Sequence, residues 1–284
     1  MTDGTASGEQ HTYGDEAAAI KVSNANESWS CLVGNRTGGQ GKTLVTQLLA
    51  EALSDAGVQA TLASVDTAHG DTRSKLGALY PGAIDLAVAA DIGEAAAEGD
   101  SMAGLRHWDG FVDVLRRKNV VIDIGANVWP PIAQWAEVSK PSRFIRGRPL
   151  NVLVVVTAQD SSIRDGLVML SQVEAAAEDL NVGRVGVVLN QHFGKFEEND
   201  ANVKALRAYI AERNLPTIDL TKGHMKATDV GVSIARLRQM DGAEYHKVRS
   251  SESEIAAWRE LDFAKAWVEK AIAAIRAAGF APAA

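Results

Sequence analysis

One stretch near the start of the chain limits what it can fold into more than any other. It is Cys31-Leu32-Val33-Gly34-Asn35-Arg36-Thr37-Gly38-Gly39-Gln40-Gly41-Lys42-Thr43, and it runs on into the helical sequence from Leu44 to Leu53. It reads as a strand, a glycine-rich loop and the first turns of a helix. Gly38, Gly39 and Gly41 let the backbone turn tightly and aim several N–H groups at one point. There the helix adds the positive end of its dipole. Lys42 brings a full charge to the same point, and the Thr43 hydroxyl is placed to ligate a cation such as Mg2+. The backbone from Gly38 through Gln40 and Gly41 to Leu44 is therefore a seat for the polyphosphate of a nucleotide. A glycine-rich turn with an incidental lysine is the plainer reading, but strand, glycines, Gly-Lys-Thr and helix all agree against it.

The 284 residues suit one large α/β domain with a tail, or at most two domains, and 46% hydrophobic residues are enough for a sizeable core. The expected division is a tail over residues 1–27 and a nucleotide-binding domain with a C-terminal helix over residues 28–284. The first segment is rich in Gly, Ser, Thr and acids with almost no large apolar groups. It buries too little to offset chain entropy, so a mobile tail is expected, with Ala17-Ala18-Ala19-Ile20 as a nascent helix or docking patch at most. No apolar run approaches a membrane span. A single cysteine, Cys31, excludes an internal disulfide framework and fits a reducing, cytoplasmic setting. The six histidines show no metal-ligand spacing. A net charge of −7 argues against a surface that coats nucleic acid everywhere, and leaves room for a local basic patch.

Along the chain, periodicity predicts strands at residues 29–33, 58–65, 119–123, 150–157, 185–189 and 215–220, with a short one near 84–88. Helices are expected at 43–56, through 111–115, from Trp129-Pro130-Pro131 onward, at 161–180, 204–212 and 230–240. A last long helix should run from a Ser251/Glu254 capping box to about 278, with Ile255, Trp258, Leu261, Val268, Ile272 and Ile275 inward. Strands alternating with helices imply a three-layer, doubly wound, mostly parallel sheet with helices on both faces. Asp66 and Asp123 each end a strand, where open α/β sheets bind ligands. A fully buried strand ending in an acid is costly unless a cation is near, which singles out Asp123. Arg116-Arg117-Lys118 and the group Lys140, Arg143, Arg146 and Arg148 are either solvated or a contact for an anionic partner.

The loop Gly38-Gly39-Gln40-Gly41-Lys42-Thr43 resembles that of the ParA/MinD-type ATPases, the deviant-Walker branch of P-loop proteins. A standard loop has glycine where this chain has Arg36. The family's signature lysine, which reaches across a nucleotide-sandwich dimer, is replaced here by Thr37. The resemblance implies ATP and Mg2+ as cofactors and Lys42 and Asp66 as catalytic groups, Asp66 orienting the attacking water. It implies Thr43 and Asp123 at the metal, and Asn190 beside the adenine. Gln191 and Phe193 stand where a guanine reader has lysine and aspartate, which favours ATP over GTP. Thr67-Ala68-His69 and Gly125-Ala126-Asn127 depart from the family's usual loops after the two acids. The implied role is a weakly hydrolysing ATPase, an ATP-dependent homodimer that positions a cargo such as plasmid DNA or a conjugation complex. A nucleotide-binding scaffold with little turnover, or a synthetase of the dethiobiotin synthetase type, are the alternatives.

Overall fold

The structure, a computed structural model, describes residues 28–66, 73–87, 103–145, 147–222, 231–249 and 253–283. The tail over 1–27, the segment after Asp66, Arg146 and Ser251 lie outside them. Along the chain come β1 (Ser30–Gly34), α1 (Lys42–Asp55), β2 (Thr61–Asp66), α2 (Lys75–Leu79) and β3 (Ile84–Ala87). Then follow α3 (Ala103–Leu115), β4 (Val120–Ile124), α4 (Trp129–Ser139), β5 (Leu150–Thr157), α5 (Asp160–Ala175) and β6 (Val182–Asn190). α6 (Ala201–Glu212), β7 (Thr217–Leu220), α7 (Ile234–Gln239), α8 (Gly242–Arg249) and α9 (Glu254–Ala277) complete the order.

These strands form one sheet in the order β3-β2-β4-β1-β5-β6-β7, and every pairing is parallel. Parallel strands need helical crossovers, and the crossovers cover both faces, which is why β4 and β5 are near-continuous runs of Val, Leu and Ile. Alternate residues then serve opposite cores. Leu32, Ile122, Val152 and Val154 join Phe111 of α3, Trp129 and Trp135 of α4, Val173 of α5 and Leu206 of α6. Cys31, Val33, Val121 and Leu153 join Leu48 of α1, Tyr245 of α8, and Leu261 and Ile272 of α9. The three-layer α/β architecture expected from the sequence is the one observed. Among the described residues, no helix is long and apolar enough to cross a membrane.

Several details differ from the sequence reading. β6 begins at Val182 rather than 185, pairing with β5 through a register shift between Leu150 and Val152; Gly183-Arg184 inside it reads as a turn. α5 stops at Ala175, and turns carry the chain to Asn181, whose φ of +52° leads into β6. α9 is capped by Ser253, whose hydroxyl accepts from the N–H of Ala256 at 3.4 Å, so Glu254 is its first residue and not a capping-box partner. The phase of its core face is set by Ala257, Leu261, Ala264, Val268, Ile272 and Ile275, which turns Ile255 outward to 72% exposure and leaves Trp258 44% exposed. α8, with little beyond Tyr245 buried, carried no apolar period to find it by.

Two polar ties bind the helices on α1's face of the sheet to one another. The buried Gln47 of α1 accepts at Oε1 from the N–H of Ile234 at 2.9 Å and from the Tyr80 hydroxyl at 3.4 Å. Arg238 of α7 reaches Glu51 and Asp55 of α1, each at 2.9 Å, and Glu269 of α9 at 3.0 Å.

Candidate functional site

β1 leaves the sheet between β4 and β5, and its last residue has no room for a side chain. A Cβ on Gly34 would lie 2.5 Å from Met169 Cε and 2.6 Å from Ile124 Cδ1. The buried Asn35 then turns the chain: its Nδ2 donates to the carbonyl of Val155 at 2.6 Å, and its Oδ1 accepts from the N–H of Thr37 at 3.0 Å. Gly39 and Gly41 take φ values of +74° and +88°, the left-handed region that glycine adopts at least cost. A Cβ on Gly41 would also sit 2.7 Å from Asn190 Nδ2. No side chain caps the start of α1, so its first N–H groups face the loop that Gly38 to Gly41 describes.

Gln40 and Asn190 fix that loop from behind. Gln40 is buried, donates from Nε2 to the carbonyl of Gly38 at 2.7 Å, and accepts at Oε1 from the Thr157 hydroxyl. Its side chain is thus a latch to β5, and only its backbone remains for a ligand. Asn190 Nδ2 donates to the carbonyl of Gln40 at 2.9 Å, and its Oδ1 accepts from the N–H of His192 at 3.2 Å. The residue expected beside a base is, in this structure, a brace between β6 and the glycine loop.

The charged groups gather at the carboxyl ends of β1, β2 and β4. Thr43 donates from Oγ1 to Asp123 Oδ2 at 2.6 Å. Lys42 folds back to donate from Nζ to the carbonyl of Thr37 at 2.8 Å. Burial lowers the Lys42 pKa from its usual 10.5 against the pull of Asp123 and Asp66, and the charge of Lys75 acts with burial. Burial pushes the Asp123 carboxyl up to about 6, opposed by the Thr43 hydrogen bond and the Lys42 charge. Asp66 closes β2, whose residues pair with β4 as Ser64 with Asp123 and Val65 with Ile124. The Gly125 N–H donates to the carbonyl of Val65 at 2.7 Å, and a Cβ there would meet the Asp66 side chain and lie 3.1 Å from its Cα. Gly125 is therefore glycine because Asp66 stands against it. The glycine loop, the start of α1 and the acids that end β2 and β4 thus close on one another.

Thr37 is used inward: its hydroxyl donates to Asp165 Oδ2 on α5, while its carbonyl receives Lys42. Asn35, Asp165, the Gln40–Thr157 latch and Lys75 escaped the sequence reading. Lys75 follows a segment without recognisable pattern, and the others are pairings between elements far apart in the chain. Cys31 is buried in β1, and burial raises its thiol pKa far above the usual range, which fits a packing role.

The residues present suit Mg2+ with a polyphosphate. Among the described residues no group of three or more His, Cys, Asp or Glu would hold a metal alone. Mg2+ is commonly held by one or two carboxylates with phosphates and water. A hydroxyl and a carboxylate oxygen beside an uncapped helix start and an ammonium are that donor set.

No family model matches the sequence, and no curated protein does. Solved structures similar to the chain include a ParA family ATPase from Chlorobium tepidum TLS, at 12% identity over 88% of this chain and 98% of that chain, with a TM-score of 0.47. The MinC:MinD cell division complex of Aquifex aeolicus is similar at 16% identity, 82% and 95% coverage, and a TM-score of 0.43. A Cyanothece McdA–ATP complex is similar at 13% identity, 86% and 96% coverage, and a TM-score of 0.42. Likenesses this distant bear on no residue of the site.

Proposed function

We propose that this chain binds Mg-ATP at the glycine loop and hydrolyses it slowly. In this reading it is a ParA/MinD-like switch whose nucleotide state sets its conformation or dimer state. The observation that carries the reading is the 2.6 Å hydrogen bond from Thr43 to Asp123 beside a loop of left-handed glycines. It joins, at one point, a hydroxyl and a carboxylate that would suit Mg2+ beside phosphates.

Backbone N–H groups from Gly38 to Leu44 hold the phosphate oxygens, and Lys42 exchanges the Thr37 carbonyl for the outer phosphates. Thr43 and Asp123 are the residues that would hold the metal. The ion neutralises charge on the phosphates when bound. Asp66 orients the water that attacks the terminal phosphate. Asn190 keeps the loop in register from the adenine side. The resemblance to the ParA/MinD loop supports a cargo role, with plasmid DNA or a conjugation complex as the leading candidates and a homodimer around ATP as the working state.

The test is Mg2+-dependent ATP binding and turnover, measured with and without DNA. Lys42→Ala should abolish binding and Asp66→Ala should keep binding but slow turnover. Normal turnover by Asp66→Ala would remove Asp66 from the mechanism, and unchanged ATP affinity in Lys42→Ala would remove the site.

A second reading, a nucleotide-binding scaffold with little hydrolysis, is favoured by one contact. Thr37 occupies the place of the family's signature lysine and is hydrogen-bonded within its own chain to Asp165. Tight ATP binding without turnover would select it.

A further inference from the structure

The charges around the glycine loop are not confined to α1 and the strand ends. Lys75, the first residue of α2, is exposed, and its charge acts on both Lys42 and Asp123. Sheet register explains how it comes there. Paired residues of parallel neighbours project to one face, and Asp123, Ser64 and Asp85 form one row across β4, β2 and β3. Asp123 also pairs with Val33, which packs on the side of α1, so the row faces α1.

Asp85 anchors α2 on that row. Its carboxylate accepts from the Ser74 hydroxyl, and Ser74 Oγ accepts from the Gly77 N–H at 2.9 Å, which caps the helix. A Cβ on Gly77 would meet the same carboxylate, so α2 can lie this close only with glycine there. Beyond the helix, the Tyr80 hydroxyl reaches Gln47 of α1 at 3.4 Å. α2 is thus pinned beside α1, with its first turn toward the carboxyl ends of the strands. Two strand spacings put Asp85 about 10 Å from Asp123, and the four-carbon stem of Lys75 spans much of that gap.

Two lysines brought to one point repel each other. Burial chiefly lowers the Lys42 pKa, and Lys75 adds to the shift while Asp123 and Asp66 oppose it. An anion between the two ammonium groups turns that repulsion into attraction. Charge balance among the groups that act on Lys42 asks for the same thing. Lys42 against Asp123 and Asp66 alone would be a net negative seat for a polyphosphate, and Lys75 brings the set to neutrality.

Position in the sheet says which phosphate is concerned. The strand order places β6, which carries Asn190, on one side of the loop, and β4, β2 and β3, the strand that anchors α2, on the other. A nucleotide with its base on the β6 side runs its phosphates toward β4, so the outermost one comes nearest to α2.

We propose that Lys75 contacts the terminal phosphate of the bound nucleotide and makes the site favour a triphosphate over a diphosphate. The role rests on the nucleotide reading above. Lys75 shares the outer phosphate with Lys42, one ammonium from α2 and one from α1, and the two helices are tied through the ligand only while that phosphate is present.

The test is calorimetric binding, by the full chain, of the Mg2+ complexes of ADP and of the β,γ-imido analogue of ATP, which resists hydrolysis. Lys75→Ala should weaken the triphosphate about tenfold, the size of one lost hydrogen bond between charged groups. ADP affinity should change little, which also reports an intact fold, and Lys75→Arg should restore most of the loss. In the wild type, the triphosphate analogue and not ADP should shield the Lys75 amine from acylation read by mass spectrometry. An unchanged ratio of the two affinities in Lys75→Ala, an equal weakening of both, or equal acylation with either nucleotide would overturn the assignment. A wild-type chain that binds neither nucleotide would instead remove the nucleotide reading, and the role of Lys75 with it.

Discussion

Thr43 Oγ1 lies 2.6 Å from Asp123 Oδ2, so the first turn of α1 is hydrogen-bonded to the end of β4 across eighty residues of sequence. A buried carboxylate is held there by a hydroxyl, with the Lys42 and Lys75 ammonium groups acting on it and Asp66 opposing them. Such a carboxylate gains most from a divalent cation.

Asp123→Asn should weaken Mg-ATP binding roughly 10- to 100-fold, the usual cost of losing a group that acts through a metal's water shell, while changing metal-free ATP binding little. In the wild type, Mg-ATP affinity should rise with pH through about 6, as the carboxyl ionises, and the rise should be absent from the variant. The sign for stability is opposite. The folded value exceeds the ordinary 3.8, so the contribution to stability without metal is present below about 4 and lost between there and about 6. Calorimetric titrations and melting curves across that window, with and without Mg2+, check both.

Gly41→Ala places a Cβ at φ +88° and 2.7 Å from Asn190 Nδ2. A loss of about 1–2 kcal/mol is expected from the backbone alone. Asn190→Gly removes the obstructing amide, so the double variant should cost less than the sum of the singles. Strict additivity in urea denaturation would show that the brace and the loop are independent.

Thr37→Lys removes the hydroxyl that donates to Asp165 and supplies the charge the family's loop carries. ATP-dependent dimer mass in light scattering should increase. An unchanged mass would leave Thr37 with the structural role alone.

Arg238→Ala should destabilise the fold by about 1 kcal/mol, since its three carboxylate partners are partly solvated. Hydrogen bonding to Arg238 holds the Asp55 carboxyl below its ordinary 3.8. Its contribution is therefore present above about 3.8 and lost as pH falls through the lower folded value. Melting temperature should drop less steeply below pH 4 in the variant than in the wild type.

Much of the fold was legible because its signals are local. Runs of Val, Leu and Ile gave β4 and β5, and the glycines of the loop gave the chain reversal between β1 and α1. Within the site, strand ends and the glycine loop pointed to Thr43 and Asp123, and the structure hydrogen-bonds the two. No local pattern announces a side chain that ties two elements together: Gln40 accepts from the Thr157 hydroxyl, and Asn190 donates to the carbonyl of Gln40. α8 was missed because burial of Tyr245, not a periodic stripe, holds it. Ile255 was assigned inward because an apolar count cannot fix the phase of a helix with three alanines among its seven buried residues.

The side-chain oxygen of Gln47, one turn beyond Thr43, receives both the main chain at Ile234 and the hydroxyl of Tyr80. These belong to segments more than a hundred and fifty residues apart in sequence, and they converge on one side of α1, where the Tyr80 hydroxyl also lies against Ser233 and Ala235. One buried oxygen thus fastens two remote stretches of chain to the helix that opens at the glycine loop, and removing it would loosen both from α1 at once.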